Sequence, residues 1–248
     1  MSLSKMSETL NCQEIIKERI KNNEKVYNFG LGENSLPQPK FFSDSLKEYS
    51  YKKNYSSSEG IPELNTTIKE IYSNNNYKVN RVLFGNGLKE LLYIIQLSFT
   101  GKIFHITPSW VSYKEQILLL NKINDLIEIE TNMDNNFKID IELLDNKLSE
   151  YGNNKKLLLL NNPNNPTGLV YSKKEILEIS KVLKKHNCTV LADEIYFNLS
   201  YNEIKSISEF IPELTLRCSS VSKDLGCGGY RLGWVTFPKR IRRFISYL

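Results

Sequence analysis

From about residue 80 onward, short apolar runs alternate with stretches whose apolar positions recur at helical spacing. The runs predict strands at 81–84, 102–107, 157–160, 189–192, 217–221 and 232–237. Ser172-Lys173-Lys174-Glu175 has the form of a capping box. Ile176, Ile179 and Leu183 follow at helical spacing, so a helix is predicted between the third and fourth strands. Strands alternating with helices predict a mainly parallel α/β sheet with covering helices, a three-layer α/β/α sandwich. Open sheets of this kind bind ligands outside the C-terminal ends of their strands. The chain's least ordinary segments all fall at such ends.

The first forty residues do not share the pattern. A polar, helix-like start leads into Phe29-Gly30-Leu31-Gly32-Glu33-Asn34-Ser35-Leu36-Pro37, an extended segment, so residues 1–40 read as an arm and 41–238 as the main domain. Asn74-Asn75-Asn76 and Asn153-Asn154 mark loops, and no internal repeat is present. With 248 residues and 40% hydrophobic content, the chain can bury one large core with at most a small appendage.

Composition narrows the function classes. The net charge of +5 comes from 33 basic and 28 acidic residues, a mixed surface that demands no nucleic-acid partner. The cluster Lys239-Arg240 with Arg242-Arg243 reads as a solvated helix start. The N-terminus lacks the build of a secretory signal and no apolar run reaches membrane-span length, so a soluble, cytoplasmic protein without membrane partners is expected. Cys12, Cys188, Cys218 and Cys227 are dispersed, which predicts neither disulfides nor a metal site. His105 reads as a strand-end core residue and His186 as a favourable charge at a helix C-terminus.

Three segments carry the candidate chemistry. They are Asn161-Asn162-Pro163-Asn164-Asn165-Pro166-Thr167-Gly168, Ala192-Asp193-Glu194-Ile195-Tyr196, and Ser219-Ser220-Val221-Ser222-Lys223 with Arg231 eight positions after the lysine. Taken singly, each has an ordinary reading: Lys223 a solvated lysine, Asp193 a helix cap or structural ion pair. In this order, with room for a helix and a strand return between Asn165, Asp193 and Lys223, they resemble the fold-type-I pyridoxal-phosphate enzymes, specifically the class I/II aminotransferases. The resemblance runs from about Gly32 to the end of the sequence.

That resemblance implies pyridoxal 5'-phosphate as cofactor and a role for each matching residue. Lys223 would form the Schiff base and then act as general acid and base. Asp193, at the mouth of a buried strand, would hold the proton of the ring nitrogen. Tyr196 and Asn165 would hydrogen-bond the ring's phenolic oxygen and keep it anionic. Ser220, Ser222 and Arg231 would bind the phosphate, together with the helix start at Gly87, Leu88 and Lys89. There Leu88 stands where relatives often carry a small or hydroxyl residue, so backbone amides are the donors on offer. Trp110 matches the aromatic that stacks on the ring. Tyr55 resembles the tyrosine lent to the phosphate by a neighbouring subunit, which implies a homodimer. Gly32 and Asn165 would meet the substrate carboxylate.

The implied activity is transfer of an amino group between an amino acid and a 2-oxo acid. Decarboxylation or C–S lyase chemistry on the same cofactor, and a non-catalytic remnant that still binds it, are the alternatives. In the family a smaller C-terminal domain supplies an arginine that clamps the substrate α-carboxylate. Residues 239–248 are read as the start of a linker to that domain, no position here matches the arginine, and slow turnover is expected.

Overall fold

The computed structural model describes residues 8–30, 32–34, 36–239 and 241. Of the basic C-terminal cluster and linker, Arg240 and residues 242–248 lie outside the described residues. The chain divides into two compact units, Met1–Pro37 and Gln38–Leu248. The first contains helix α1 (Glu8–Lys21), with Arg19 and Lys21 in its last turn, where cations oppose the negative end of the helix dipole.

The second unit is built on a seven-stranded sheet. Its strands are β1 (Val79–Asn86), β2 (Lys102–Thr107), β3 (Leu126–Glu130), β4 (Lys156–Asn161), β5 (Thr189–Asp193), β6 (Thr215–Ser220) and β7 (Leu232–Pro238). They lie in the order β1-β7-β6-β5-β4-β2-β3, with β7 alone antiparallel to its neighbours. Six strands match the predicted runs, with ends shifted by a few residues. β3 is an addition: a half-exposed edge strand whose Glu128 and Glu130 break up the apolar run that marks a central strand.

Among the described residues six α-helices cover the sheet: α2 (Lys40–Tyr49), α3 (Pro62–Tyr72), α4 (Leu88–Ser98), α5 (Ser112–Leu119), α6 (Ile141–Ser149) and α7 (Lys173–Lys185). The pleat decides which residues each face buries. Leu157 and Leu159 of β4, with Leu191, Leu216 and Cys218, pack against Leu91, Leu92 and Ile95 of α4 and Ile117 of α5. Leu158, Leu160, Val190 and Ala192 meet Leu144 and Leu148 of α6 and Ile176, Ile179 and Leu183 of α7. A smaller cluster seats Ile68 of α3 on Val82 of β1 and Trp234 of β7. β4 is buried along its whole length, and each leucine removed from water there contributes roughly 1.5–3 kcal/mol. The Ser172–Glu175 capping box forms, with Ser172 Oγ accepting from the Glu175 N–H and Glu175 accepting from the Ser172 N–H.

The result is the expected α/β/α sandwich. Because β1, β2, β4, β5 and β6 run the same way, Asn86, Thr107, Asn161, Asp193 and Ser220 end along one edge. Among the described residues no helix is long and apolar enough to cross a membrane.

Candidate active site

Asp193 ends β5 and is only 4% exposed. The end of β4 pins its backbone, since Asn161 Nδ2 and the Asn162 N–H donate to its carbonyl at 3.0 and 3.1 Å. Its carboxylate accepts from Tyr113 Oη at 2.6 Å and from the Ile195 N–H at 3.1 Å. Burial raises its pKa from 3.8 to about 6, against the lowering effect of those two donors and with a further push from the Glu194 charge. Both donors are neutral groups. A carboxylate in this state gains most from a cation placed against it, which is what a protonated ring nitrogen offers.

Tyr196 lies on the turn that follows Asp193, and its hydroxyl accepts from Asn165 Nδ2 at 3.2 Å. Asn165 is held in turn by its own N–H, which donates to Asn161 Oδ1 at 2.7 Å. Burial pushes the Tyr196 phenol up from its ordinary value. The two predicted donors to the phenolic oxygen thus come together from different loops. Trp110 follows the end of β2, half-buried, with its ring edge-on to Tyr113 at 5.6 Å and Lys89 Nζ 5.6 Å from its centre.

The predicted phosphate residues assemble where β1 turns into α4 beside β7. Gly87 caps α4 with φ +82° and no side-chain cap, and a Cβ there would collide with the Arg231 guanidinium. Arg231 Nη1 donates to the Gly228 carbonyl at 2.8 Å and Nη2 to the Asn86 carbonyl at 3.2 Å. Gly233 is paired with Ser220 across β6 and β7, and a Cβ on it would lie 2.6 Å from the Leu88 nitrogen. That close approach brings the end of β6 and the start of α4 together. The Leu88 side chain is in the core, Lys89 is exposed, and Glu90 takes the Asn86 N–H at 2.5 Å.

Ser220 is buried, and its hydroxyl accepts from the Ser222 N–H at 3.2 Å. Ser222 and Lys223 are half-buried on the loop after β6. The loop is closed at its base by the Val221 N–H to the Leu232 carbonyl at 3.2 Å and turned by Gly226 at φ +62°. Arginine, hydroxyls and an uncapped helix start converge there, a donor set that fits a phosphate dianion.

Tyr55 and Gly32 are the remaining predicted residues. Tyr55 is fully exposed and joins no partner in the cluster. Gly32 belongs to the N-terminal unit. The sequence reading missed Tyr113, although it follows Trp110 by three positions and lies in the first turn of α5. It also missed Gly233, whose role exists only because β7 abuts α4. His105 is a buried residue of β2 as expected, with Nε2 against Ser109 Oγ, and burial lowers its pKa to about 4.

The sequence profile for "Aminotransferase class I and II" matches residues 24–248. The chain is 32% identical to an aspartate aminotransferase of Bacillus sp. over 84% of its own length and 55% of the relative's. It is 35% identical to an asparagine–oxo-acid transaminase of Streptococcus mutans over 73% of its length and 47% of the relative's. Among solved structures, aspartate aminotransferase from Thermus thermophilus with maleate superimposes with a TM-score of 0.86 at 25% identity, covering 97% of this chain and 64% of that one. The enzyme from Thermotoga maritima gives 0.84 at 27% identity, covering 97% and 66%. The chain therefore spans about half the length of the curated relatives. With cofactor-type donors gathered at one edge of a matching fold, the chain belongs to the class I and II aminotransferase family.

Proposed function

We propose that the chain binds pyridoxal 5'-phosphate at the C-terminal edge of its sheet and serves amino transfer between an amino acid and a 2-oxo acid. The observation that carries this reading is Asp193: a buried carboxylate with a pKa of about 6, met by neutral donors, on the same edge as Lys223 and the Gly87–Arg231 contact. When bound, the cofactor supplies an aldehyde for an amine and a ring that withdraws electrons.

This chain's residues then divide the work. Lys223 Nζ holds the cofactor and later takes and returns the proton of the substrate α-carbon. Asp193 keeps the ring nitrogen protonated, Asn165 Nδ2 and Tyr196 Oη donate to the ring oxygen, and Trp110 covers a ring face. Arg231, Ser220, Ser222 and the amides of Gly87, Leu88 and Lys89 bind the phosphate. Gly32 and Asn165 receive the substrate carboxylate. Tyr55, with its whole side chain in solvent, is suited to reach the phosphate of a second copy, so the assembly proposed is a homodimer. The division into arm (1–40), cofactor domain (41–238) and linker start (239–248) belongs to the same reading.

Borohydride reduction of the loaded protein followed by peptide mapping tests the assignment. The label is expected on Lys223, and label on another lysine, or none under saturating cofactor, overturns it. The named activities of the relatives favour transamination over decarboxylation or elimination. Incubation with an amino donor is expected to yield pyridoxamine phosphate and a stoichiometric 2-oxo acid. Release of carbon dioxide or of a thiol without pyridoxamine phosphate would point to the lyase chemistries.

A further inference from the structure

Asp193 and Glu194 are consecutive acids, each 4% exposed, and a strand end that buries two carboxylates has to dispose of both charges. The two side chains turn to different partners. Asp193 is aligned with Cys218 of β6, on the side of α4 and α5. Glu194, whose N–H donates to the Cys218 carbonyl at 3.0 Å, turns to Arg217. Arg217 Nη2 and Nε lie 2.7 and 2.8 Å from Glu194 Oε2, and Ser206 Oγ donates to Oε1 at 2.5 Å. The guanidinium is nearly dry, 4.7 Å over the Tyr72 ring, and donates to the Tyr72 carbonyl at 3.3 Å. No step proposed above uses this pair.

We propose that Arg217 is a positioning residue for Asp193: by pairing with Glu194 it offsets part of a like charge beside Asp193 and ties the Asp193–Tyr196 turn to β6, which leads into Ser220 and Lys223. The consequence for the cofactor rests on the function proposed above, whereas the charge relation lies in this chain alone.

The groups facing Asp193 include Tyr113 from α5, Cys218 from β6, and Glu194 and Tyr196 from its own turn. Burial holds the Tyr113 phenol and the Cys218 thiol far above their ordinary values, and raises Tyr196 as well, so these three are neutral. Glu194, paired with Arg217, acts on Asp193 in the same direction as burial. Without Arg217, both effects would carry Asp193 toward the protonated state at neutral pH. A protonated Asp193 has no charge with which to hold a protonated ring nitrogen.

The test is titration of the Asp193 carboxyl by 13C NMR in aspartate-labelled, cofactor-free protein, the resonance being identified by its loss in Asp193→Asn. Arg217→Met is expected to move the midpoint up by on the order of one pH unit. Glu194→Gln, which keeps the shape and leaves Arg217 uncompensated, is expected to move it down. Arg217→Lys is expected to restore most of the parent value. An unshifted or raised midpoint in Glu194→Gln overturns the proposal, because that variant removes the like charge outright, whereas a buried Glu194 stripped of Arg217 can shed its charge by taking up a proton. In protein loaded with pyridoxal phosphate, the pH dependence of the cofactor absorption band should move in the same two directions. Should the cofactor never load, the function proposed above fails while the carboxyl titration still decides the role of Arg217.

Discussion

The Tyr113 hydroxyl donates to Asp193 Oδ2 at 2.6 Å across the gap between α5 and the end of β5. It is one of two donors that lower the pKa of a carboxylate which burial raises. Tyr113→Phe keeps the ring in its slot against Trp110 and His105 and removes the donor alone. A hydrogen bond to a charged group is worth about 1.5–3 kcal/mol, so the Asp193 midpoint should rise by about one pH unit or more. Carboxyl titration of this variant checks it, and a midpoint left at about 6 would show that the phenol contributes nothing.

Asp193 also sets a stability trade with pH. Its folded pKa of about 6 stands above the free value of 3.8, so the stability it contributes is present below pH 3.8 and lost as pH rises through 6. At neutral pH its ionisation costs up to about 3 kcal/mol. Asp193→Asn is therefore expected to be more stable than the parent at pH 7.5 without cofactor, and equal to it near pH 4. His105 runs the other way, because its pKa is lowered from 6.5 to about 4: its contribution is present above 6.5 and lost as pH falls through 4. The two cancel in part in the parent, so the measurement is the difference between variant and parent in urea unfolding at each pH. A destabilised Asp193→Asn at pH 7.5 would contradict the account.

Gly87 tests the phosphate site separately from the ring site. A Cβ there meets the Arg231 guanidinium, and φ +82° disfavours any side chain. Gly87→Ala should cost on the order of 1–3 kcal/mol in backbone strain and displace Arg231. Affinity for pyridoxal phosphate is expected to fall by roughly tenfold or more, the loss of one charge-assisted hydrogen bond, while affinity for unphosphorylated pyridoxal is unchanged. Equal losses for both ligands would place the effect outside the phosphate site.

Ser172 provides the control. Its hydroxyl caps α7, and Ser172→Ala should cost about 1 kcal/mol of stability. No change is expected in cofactor affinity or in the Asp193 titration, because the cap serves only the helix start. A shift in either would mean that the site is more sensitive to global stability than to its own contacts.

Local pattern was enough to predict six strands, the α7 cap and the edge on which the motifs lie. Apolar runs and capping residues act within a few positions of themselves, and a strand's motif follows it directly in the chain. It did not mark β3, because an edge strand buries one face and carries charges on the other. Lys223, Asp193 and Arg231 were legible as candidate chemistry for the same local reason, since their segments are uncommon over a few residues.

Only the folded sheet decided the relations between segments. Tyr113 reaches Asp193 because α5 crosses the end of β5, and Gly233 matters because β7 presses against the first turn of α4. Arg217 meets Glu194, rather than Asp193, because the pleat of β6 puts Arg217 on the face opposite Cys218, the residue aligned with Asp193. Such contacts join residues tens to more than a hundred positions apart. Their distances depend on strand order and helix packing, and their energies depend on burial, neither of which is written in the residue types.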